Sequence, residues 1–254
     1  MSNTANQLEF NPEAIPYFLK SLVAGLSLLI YLPAAEKLTE LIQYCVSRLR
    51  FPDGTTITYS GKPATIKKAL LPVSIVIWAQ IVLNSIFEDP WIHIGIRIAS
   101  AIASVFAMFP LLYLIASRLK TSNGSQLRFS GSLDELLKWQ LIMTGCTVIP
   151  SLLTMILPES GFFGLLAGIT LALLTLIALA VVLIPYSQWF GAQCTGGART
   201  LIFQAEPIEV AGMCIGFILF SLFIVTIPWS VQWFVKWYAS KYSLPARSAM
   251  AVAG

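Results

Sequence analysis

Charge is what this sequence lacks most. Of 254 residues only 11% are Asp, Glu, Lys or Arg, while 57% are hydrophobic, and the mean hydropathy is +0.77. A soluble domain carries about 25% charged residues. A chain with so few cannot cover a soluble surface, and the bilayer is the solvent that suits it. Histidine is nearly missing as well: His93 stands alone. A metal site or a Ser-His-Asp triad would have to be built on it with Glu88 and Asp89, which read instead as a short interhelical loop at the membrane surface. The four cysteines, Cys45, Cys146, Cys194 and Cys214, are scattered, and no pair has the CxxC spacing that a zinc or redox site needs. They read as buried or interfacial thiols. There is no Walker loop, no HExxH and no paired intramembrane carboxylate, and Gly196-Gly197 lacks the spacing of a phosphate cradle. The expectation is therefore a protein that is not an enzyme, with no cofactor and no metal. The first 19 residues contain no Lys or Arg, so the basic start of a secretory signal peptide is missing.

What the chain has is apolar length. A membrane span takes about 20 mostly apolar residues. Six stretches qualify, at about 15–34, 69–87, 92–116, 139–157, 162–189 and 209–235. The predicted fold class is an all-α polytopic membrane protein with about six transmembrane helices, in one integral membrane domain over 1–254, with short β-strands and interfacial helices in a degenerate internal repeat.

The repeat shows first in residues 47–61, SRLRFPDGTTITYSG, against 117–131, SRLKTSNGSQLRFSG, which match at six of fifteen positions without a gap. Asp53-Gly54 and Asn123-Gly124 are tight-turn dipeptides. A short segment ending in an aromatic recurs four times, alternating in the first three copies and poorly in the fourth: Gln7-Leu-Glu-Phe10, Thr56-Ile-Thr-Tyr59, Gln126-Leu-Arg-Phe129 and Thr200-Leu-Ile-Phe203. Such alternation predicts a short strand. Each copy closes an apolar run with proline, at Pro33, Pro110, Pro185 and Pro228, where a helix kinks or ends. The copies run approximately 7–50, 51–120, 121–199 and 200–244. The module predicted is strand, break, one or two membrane helices, proline, interfacial helix. Spacings from aromatic to proline of 23, 51, 56 and 25 residues give a 1+2+2+1 pattern of crossings. After the third and fourth prolines stand Trp189, Trp229, Trp233 and Trp237, predicted as anchors in the headgroup zone.

The loops at 35–68, 117–138 and 190–208 hold eleven of the sixteen Lys and Arg. Basic residues mark cytoplasmic loops, so these loops are predicted cytoplasmic and, with six spans, both termini outside; Lys236, Lys241 and Arg247 near the C-terminus argue the other way. The turns Glu88-Asp-Pro90 and Pro158-Glu-Ser160 are expected opposite the loops. The net charge of +4 fits this sidedness and calls for no nucleic acid partner. Two related clusters, Arg48, Arg50, Lys62, Lys67 and Lys68, then Arg118, Lys120 and Arg128, are either the ordinary sidedness signal or contacts for anionic lipid headgroups. Inside the spans only Lys20 and Arg97 are charged, each near a span end from which it can snorkel; Arg97 is placed to meet Glu88 or Asp89. Gln80, Asn84, Gln140, Thr144 and Thr147 are weakly polar groups of the kind that join helices.

The order Tyr17-Phe18-Leu19, Ile30-Tyr-Leu-Pro33, Asp53-Gly54 and Tyr59 resembles the YjgN-like inner-membrane proteins, a bacterial family of unknown function, over about the first 70 residues. The resemblance implies a bacterial cytoplasmic (inner) membrane and carries no catalytic residues. Ala34 stands where that family tends to have Trp after the first proline. Small residues at Ala99, Ser100, Ala101, Ala103 and Ser104 let helices approach closely. They suit an accessory or structural subunit that packs against a membrane-protein partner or a second copy, in contact with membrane lipids. The rival functions are a lipid or small-solute transporter or channel, and a lipid enzyme built around His93.

Overall fold

A computed structural model of the chain describes residues 7–155, 161–196, 199–221 and 223–243. The elements run β1 (Glu9–Phe10), α1 (Ala14–Ile30), α2 (Ala34–Ser47), β2 (Leu49–Arg50), β3 (Ile57–Tyr59), α3 (Pro63–Ile86), α4 (Pro90–Ala116), β4 (Leu119–Thr121), β5 (Leu127–Phe129), α5 (Leu133–Thr154), α6 (Gly161–Gln193), β6 (Cys194–Gly196), β7 (Arg199–Thr200), β8 (Ile202–Phe203), α7 (Pro207–Ser221), α8 (Ile227–Ser240) and β9 (Tyr242–Ser243). A 3-10 turn over Ile224–Thr226 precedes α8.

The helices come in consecutive pairs, and each pair begins and ends on strands bonded to each other. β1 pairs with β2, β3 with β4, β5 with β6 and β8 with β9, all antiparallel. The aromatic residues predicted to end the strands sit opposite Leu49, Leu119, Cys194 and Tyr242. One residue further on, Asn11, Ser60, Ser130 and Gln204 donate their N–H groups to the carbonyls of Arg48, Arg118, Gln193 and Lys241, at 3.1, 3.0, 3.0 and 2.8 Å. The final carbonyls of a helix have no intrahelical partner. The strand that opens each helix pair supplies a donor where the pair closes.

The ladders are joined end to end. The Asp53-Gly54 and Asn123-Gly124 turns carry the chain from β2 to β3 and from β4 to β5, with bridges Arg50↔Thr56 and Lys120↔Gln126. Gly54 and Gly124 have φ of 76° and 79°, a conformation that favours glycine. β6 pairs with β7, which runs on into β8. A bridge Gln7↔Ser243 and a bond from Leu8 N–H to the Tyr242 carbonyl (2.9 Å) tie the first strand to the last. The strands make a closed belt, and the helices follow it as a ring in which each packs on the next and α8 packs on α1.

Among the described residues four helices are long and apolar enough to cross a membrane: α3, α4, α5 and α6, with 24, 27, 22 and 33 residues. At 1.5 Å per residue they are about 36, 40, 33 and 50 Å long. The expected six spans thus meet four long helices. The first and last apolar segments form α1 and α7, of 17 and 15 residues, and the belt brings each back through α2 or α8. Proline position separates the two cases. Pro110 and Pro185 lie inside continuous helices, whereas Pro33 and Pro228 follow turns that break the chain, with Tyr31 at φ 62°. The belt also corrects the predicted sidedness: β1 and β9 lie with the basic loops and not across from them, because each short hairpin returns to the side it left. Residues 158–160, Gly197 and Arg247 lie outside the described residues.

Two buried clusters sit near the belt. Ala34 and Ala35 at the start of α2 pack against Ile66, Leu70 and Val73 of α3 and Ala107 and Leu111 of α4. Leu8, Phe203 and Tyr242 form the second, where first and last strands meet. Beyond α1 the long hairpin stands by itself: every residue from Ile81 to Ile92 is exposed.

Candidate functional site

Two surfaces gather the predicted residues: the outer face of the belt and a groove between α3 and α4.

Alternation along the strands sorts the belt. Phe10, Ile57, Tyr59, Phe129, Phe203 and Tyr242 turn toward the helices; Glu9, Arg50, Thr58, Lys120 and Arg128 are exposed. Register places Arg50 opposite Glu9, Lys120 opposite Thr58, and Arg128 opposite Thr195. Lys120 bridges Gln126, two residues before Arg128, so those two cations are diagonal neighbours about 8 Å apart at ordinary strand spacings. Lys62, Lys67 and Lys68 are exposed around the start of α3. Arg118 is exposed beside Tyr59, whose hydroxyl is pushed up by burial while the Arg118 charge opposes the shift. Arg48 is committed within the fold: its guanidinium bonds a Glu13 carboxylate oxygen and lies 5.5 Å from the Tyr44 ring centroid. Seven of the eight predicted cations therefore share one exposed face with the strand belt, and Arg48 is a structural pair.

The predicted tryptophan anchors divide by depth. Trp189 near the end of α6 donates its indole N–H to Glu135 Oε2 at 2.6 Å and packs edge-on to Phe129. On α8, Trp229, Trp233 and Trp237 recur one turn apart. Only Trp237 is at the belt end, with Lys241 Nζ 5.7 Å from its ring. Trp233 packs on Phe220, its rim against Gly216. Trp229 is half exposed at the far end of α8, about 12 Å from Trp237.

The polar groups of the helix interiors are mostly spent locally. His93 Nδ1 lies 2.9 Å from Asn84 Oδ1, and Asp89 caps α4 by accepting from the N–H groups of Trp91 and Ile92. Arg97 donates to Ser151 Oγ on α5 at 3.2 Å, in place of the expected pairing with Glu88 or Asp89. Thr144 donates to the Gln140 carbonyl and Thr147 to that of Thr144. Lys20 lies 5.8 Å from the Tyr44 ring centroid.

Gln80 lines the second surface, an open groove of about 480 Å³ between α3 and α4. Gly95, Ala99 and Ala103 recur every four residues along its α4 wall, with Ser100 beside them. A Cβ built on Gly95 would meet nothing within 4 Å. The two remaining small residues of the predicted stripe lie outside the groove lining: Ala101 is buried, and half-buried Ser104 donates its hydroxyl to the Ser100 carbonyl at 2.7 Å. An apolar wall with two weakly polar groups suits a helix or an acyl chain.

Sequence reasoning missed the groups that tend the hairpin turns. Trp78 donates its indole N–H to the Leu29 carbonyl at 2.7 Å, and the Thr226 hydroxyl bonds the carbonyls of Phe220 and Phe223. It also missed a buried network in which the Ser187 hydroxyl lies 2.7 Å from Tyr238 Oη, itself 3.1 Å from Tyr242 Oη. A lone Trp in the middle of α3 was the one available signal. No family model, curated protein or solved structure matches the chain.

Proposed function

We propose that this chain is a non-enzymatic multi-pass protein of a bacterial cytoplasmic membrane. Its role is that of an accessory subunit, seating a partner's transmembrane helix in the α3–α4 groove. The observation that carries the reading is that groove: a wall open at Gly95, Ala99 and Ala103, where a second backbone can come close. The four equivalent strand closures support a degenerate repeat of four helical hairpins, and kinship with the YjgN-like proteins fits the same order of motifs. The exposed cations Arg50, Lys62, Lys67, Lys68, Arg118, Lys120 and Arg128 suit a cytoplasmic face resting on anionic headgroups. Lys62, Lys67 and Lys68 favour that role further, since cations at a helix start work against its dipole and an anion there relieves them.

Purification in mild detergent from native membranes tests the subunit role. One stoichiometric protein is expected to accompany the chain, and Ala99→Trp, which fills the groove, is expected to lose it. A chain that purifies alone, or with lipid only, sinks the proposal. Gln80 and Ser100 in the same groove keep lipid or small-solute handling as a second reading. Water accessibility of cysteines placed at Gln80, Asn84 and Gln140 separates the two, since transport needs a continuous wet path.

A further inference from the structure

We infer that the protein is a one-sided membrane wedge that favours the convex leaflet. The inference rests on the membrane reading above and adds a mechanical property to it. Among the described residues, all eight helices start or end at the belt, but only α3, α4, α5 and α6 have the length to reach the far side. A helix with its side chains is about 10 Å across, or about 80 Å² in section. Eight near the belt against four beyond is an excess of about 300 Å² in one leaflet.

The short hairpins are built to stop in hydrocarbon. Their turns carry Ile30, Leu32, Phe223, Ile224 and Val225, exposed by 67, 69, 69, 83 and 78%. Irregular backbone facing lipid is penalised because water is absent to bond its polar groups. Here the carbonyls beside the turns have donors: Trp78 serves Leu29, and Thr226 serves Phe220 and Phe223. The Leu29 contact also fixes a depth. Trp78 is the sixteenth residue of α3, so the first turn lies no deeper than about 24 Å along that helix, with about 12 Å of α3 still beyond it. Above both turns the far leaflet keeps its lipid while the near leaflet is displaced. A leaflet with added area bends away from its partner, as it does around helices embedded on one side.

The test is orientation in vesicles of two sizes. The full chain carrying Thr58→Cys, on the exposed belt face, is reconstituted at low protein-to-lipid ratio into vesicles of about 40 nm and about 400 nm diameter, since one-sided insertion is sensitive to curvature. Impermeant maleimide reports the belt-outward fraction as the increment over the unsubstituted chain, and detergent gives the total. The outward-to-inward ratio is expected to be at least about twofold higher in the small vesicles. Inserting two apolar helical turns into both α7 and α8, so that this hairpin reaches across, is expected to shrink that difference. Equal ratios at both sizes overturn the wedge. So does a size-independent dimer whose second copy fills the space above the turns, seen as paired photobleaching steps. Failure of the chain to float with vesicles after a carbonate wash would instead overturn the membrane reading itself, a separate readout.

Discussion

Replacing Gly131 by alanine should destabilise the protein far more than the equivalent change at Gly61, although both glycines follow a strand aromatic by two residues. A Cβ on Gly131 would lie 2.5 Å from the tip of the Phe129 ring, and one on Gly61 would lie 2.1 Å from the Tyr59 hydroxyl. Carbon atoms in contact prefer about 3.5–4.0 Å, so each ring must move by more than 1 Å. Phe129 has nowhere to go. It is 4% exposed and boxed by Tyr113, Trp189 and Phe190 at 6.0, 6.2 and 5.6 Å. Tyr59 is half-buried, packed against one cluster, and its enclosed hydroxyl has no hydrogen bond to lose, so its ring has more room to swing than that of Phe129. Overpacking costs about 1–3 kcal/mol, and removing a glycine from the unfolded chain returns about 0.4–1 kcal/mol. Gly131→Ala should therefore cost about 2 kcal/mol net, at the upper end of that difference because Phe129 is boxed in, and Gly61→Ala under about 1 kcal/mol. At about 2–4 °C per kcal/mol for a chain of this size, the first lowers the unfolding midpoint by about 4–8 °C in tryptophan-fluorescence melts of detergent-solubilised protein. Phe129→Leu should mask the effect, so that adding Gly131→Ala to it costs little more. Additive losses in the double variant would refute the clash as the cause.

Trp78→Phe removes the donor to the Leu29 carbonyl and should cost about 1–3 kcal/mol, with a larger loss in vesicles than in detergent, where water reaches the turn. Arg50→Glu sets two carboxylates opposite each other through Glu9 and should cost up to about 1 kcal/mol, a loss that Glu9→Lys in the same chain recovers. Burial pushes the Cys194 thiol from 9.0 up to about 11. The thiolate is the reactive form, so maleimide labelling near neutral pH should run about a hundredfold slower than for an unshifted thiol and still be rising above pH 9. Lys241, hydrogen-bonded at 2.7 Å, holds the Glu209 carboxyl below its usual value. That support is present at neutral pH and is lost as pH falls through the lowered value. Glu209 is 42% exposed, so Glu209→Gln should cost under about 1 kcal/mol at pH 7 and flatten the acid limb of the stability curve.

The sequence made the four long helices legible because each is apolar over more than a span's length, and it made the aromatic strands legible, most clearly the two that follow Asp53-Gly54 and Asn123-Gly124. It hid what the strands pair with. Leu49-Arg50, Leu119–Thr121 and Tyr242-Ser243 are too short to show a clear alternation, and each follows its helix after only one or two residues. Counting crossings from the spacing of aromatic to proline therefore treated Pro33 and Pro228 as exits on the far side, when the chain turns back there. The cations of the belt were found by composition. Their common outward face was not, because it depends on the register of partners 62 and 67 residues apart, as in Thr58↔Lys120 and Arg128↔Thr195.

The two short hairpins need not reach equal depth, and their charges say which goes further. From Val210 to Val235 the last hairpin carries no Asp, Glu, Lys, Arg or His. Its turn is apolar, and Glu209 and Lys241 stay at the belt, bonded to each other. The first hairpin has Glu36, Lys37 and Glu40 within seven residues of Pro33, with Lys37 and Glu40 paired at 2.8 Å and both more than a third exposed. A charged group is costly at the bilayer centre and is tolerated near an interface that it can reach. Lys20 of α1 joins Lys37 and Glu40 around one small open pocket of about 200 Å³, so the polar side of α2 must remain within reach of water. The first hairpin is therefore expected to lie shallow, with Ala34 and Ala35 held against Ile66 and Leu70 near the start of α3. The last hairpin is free to plunge along α6, and most of the wedge's one-sided volume comes from it.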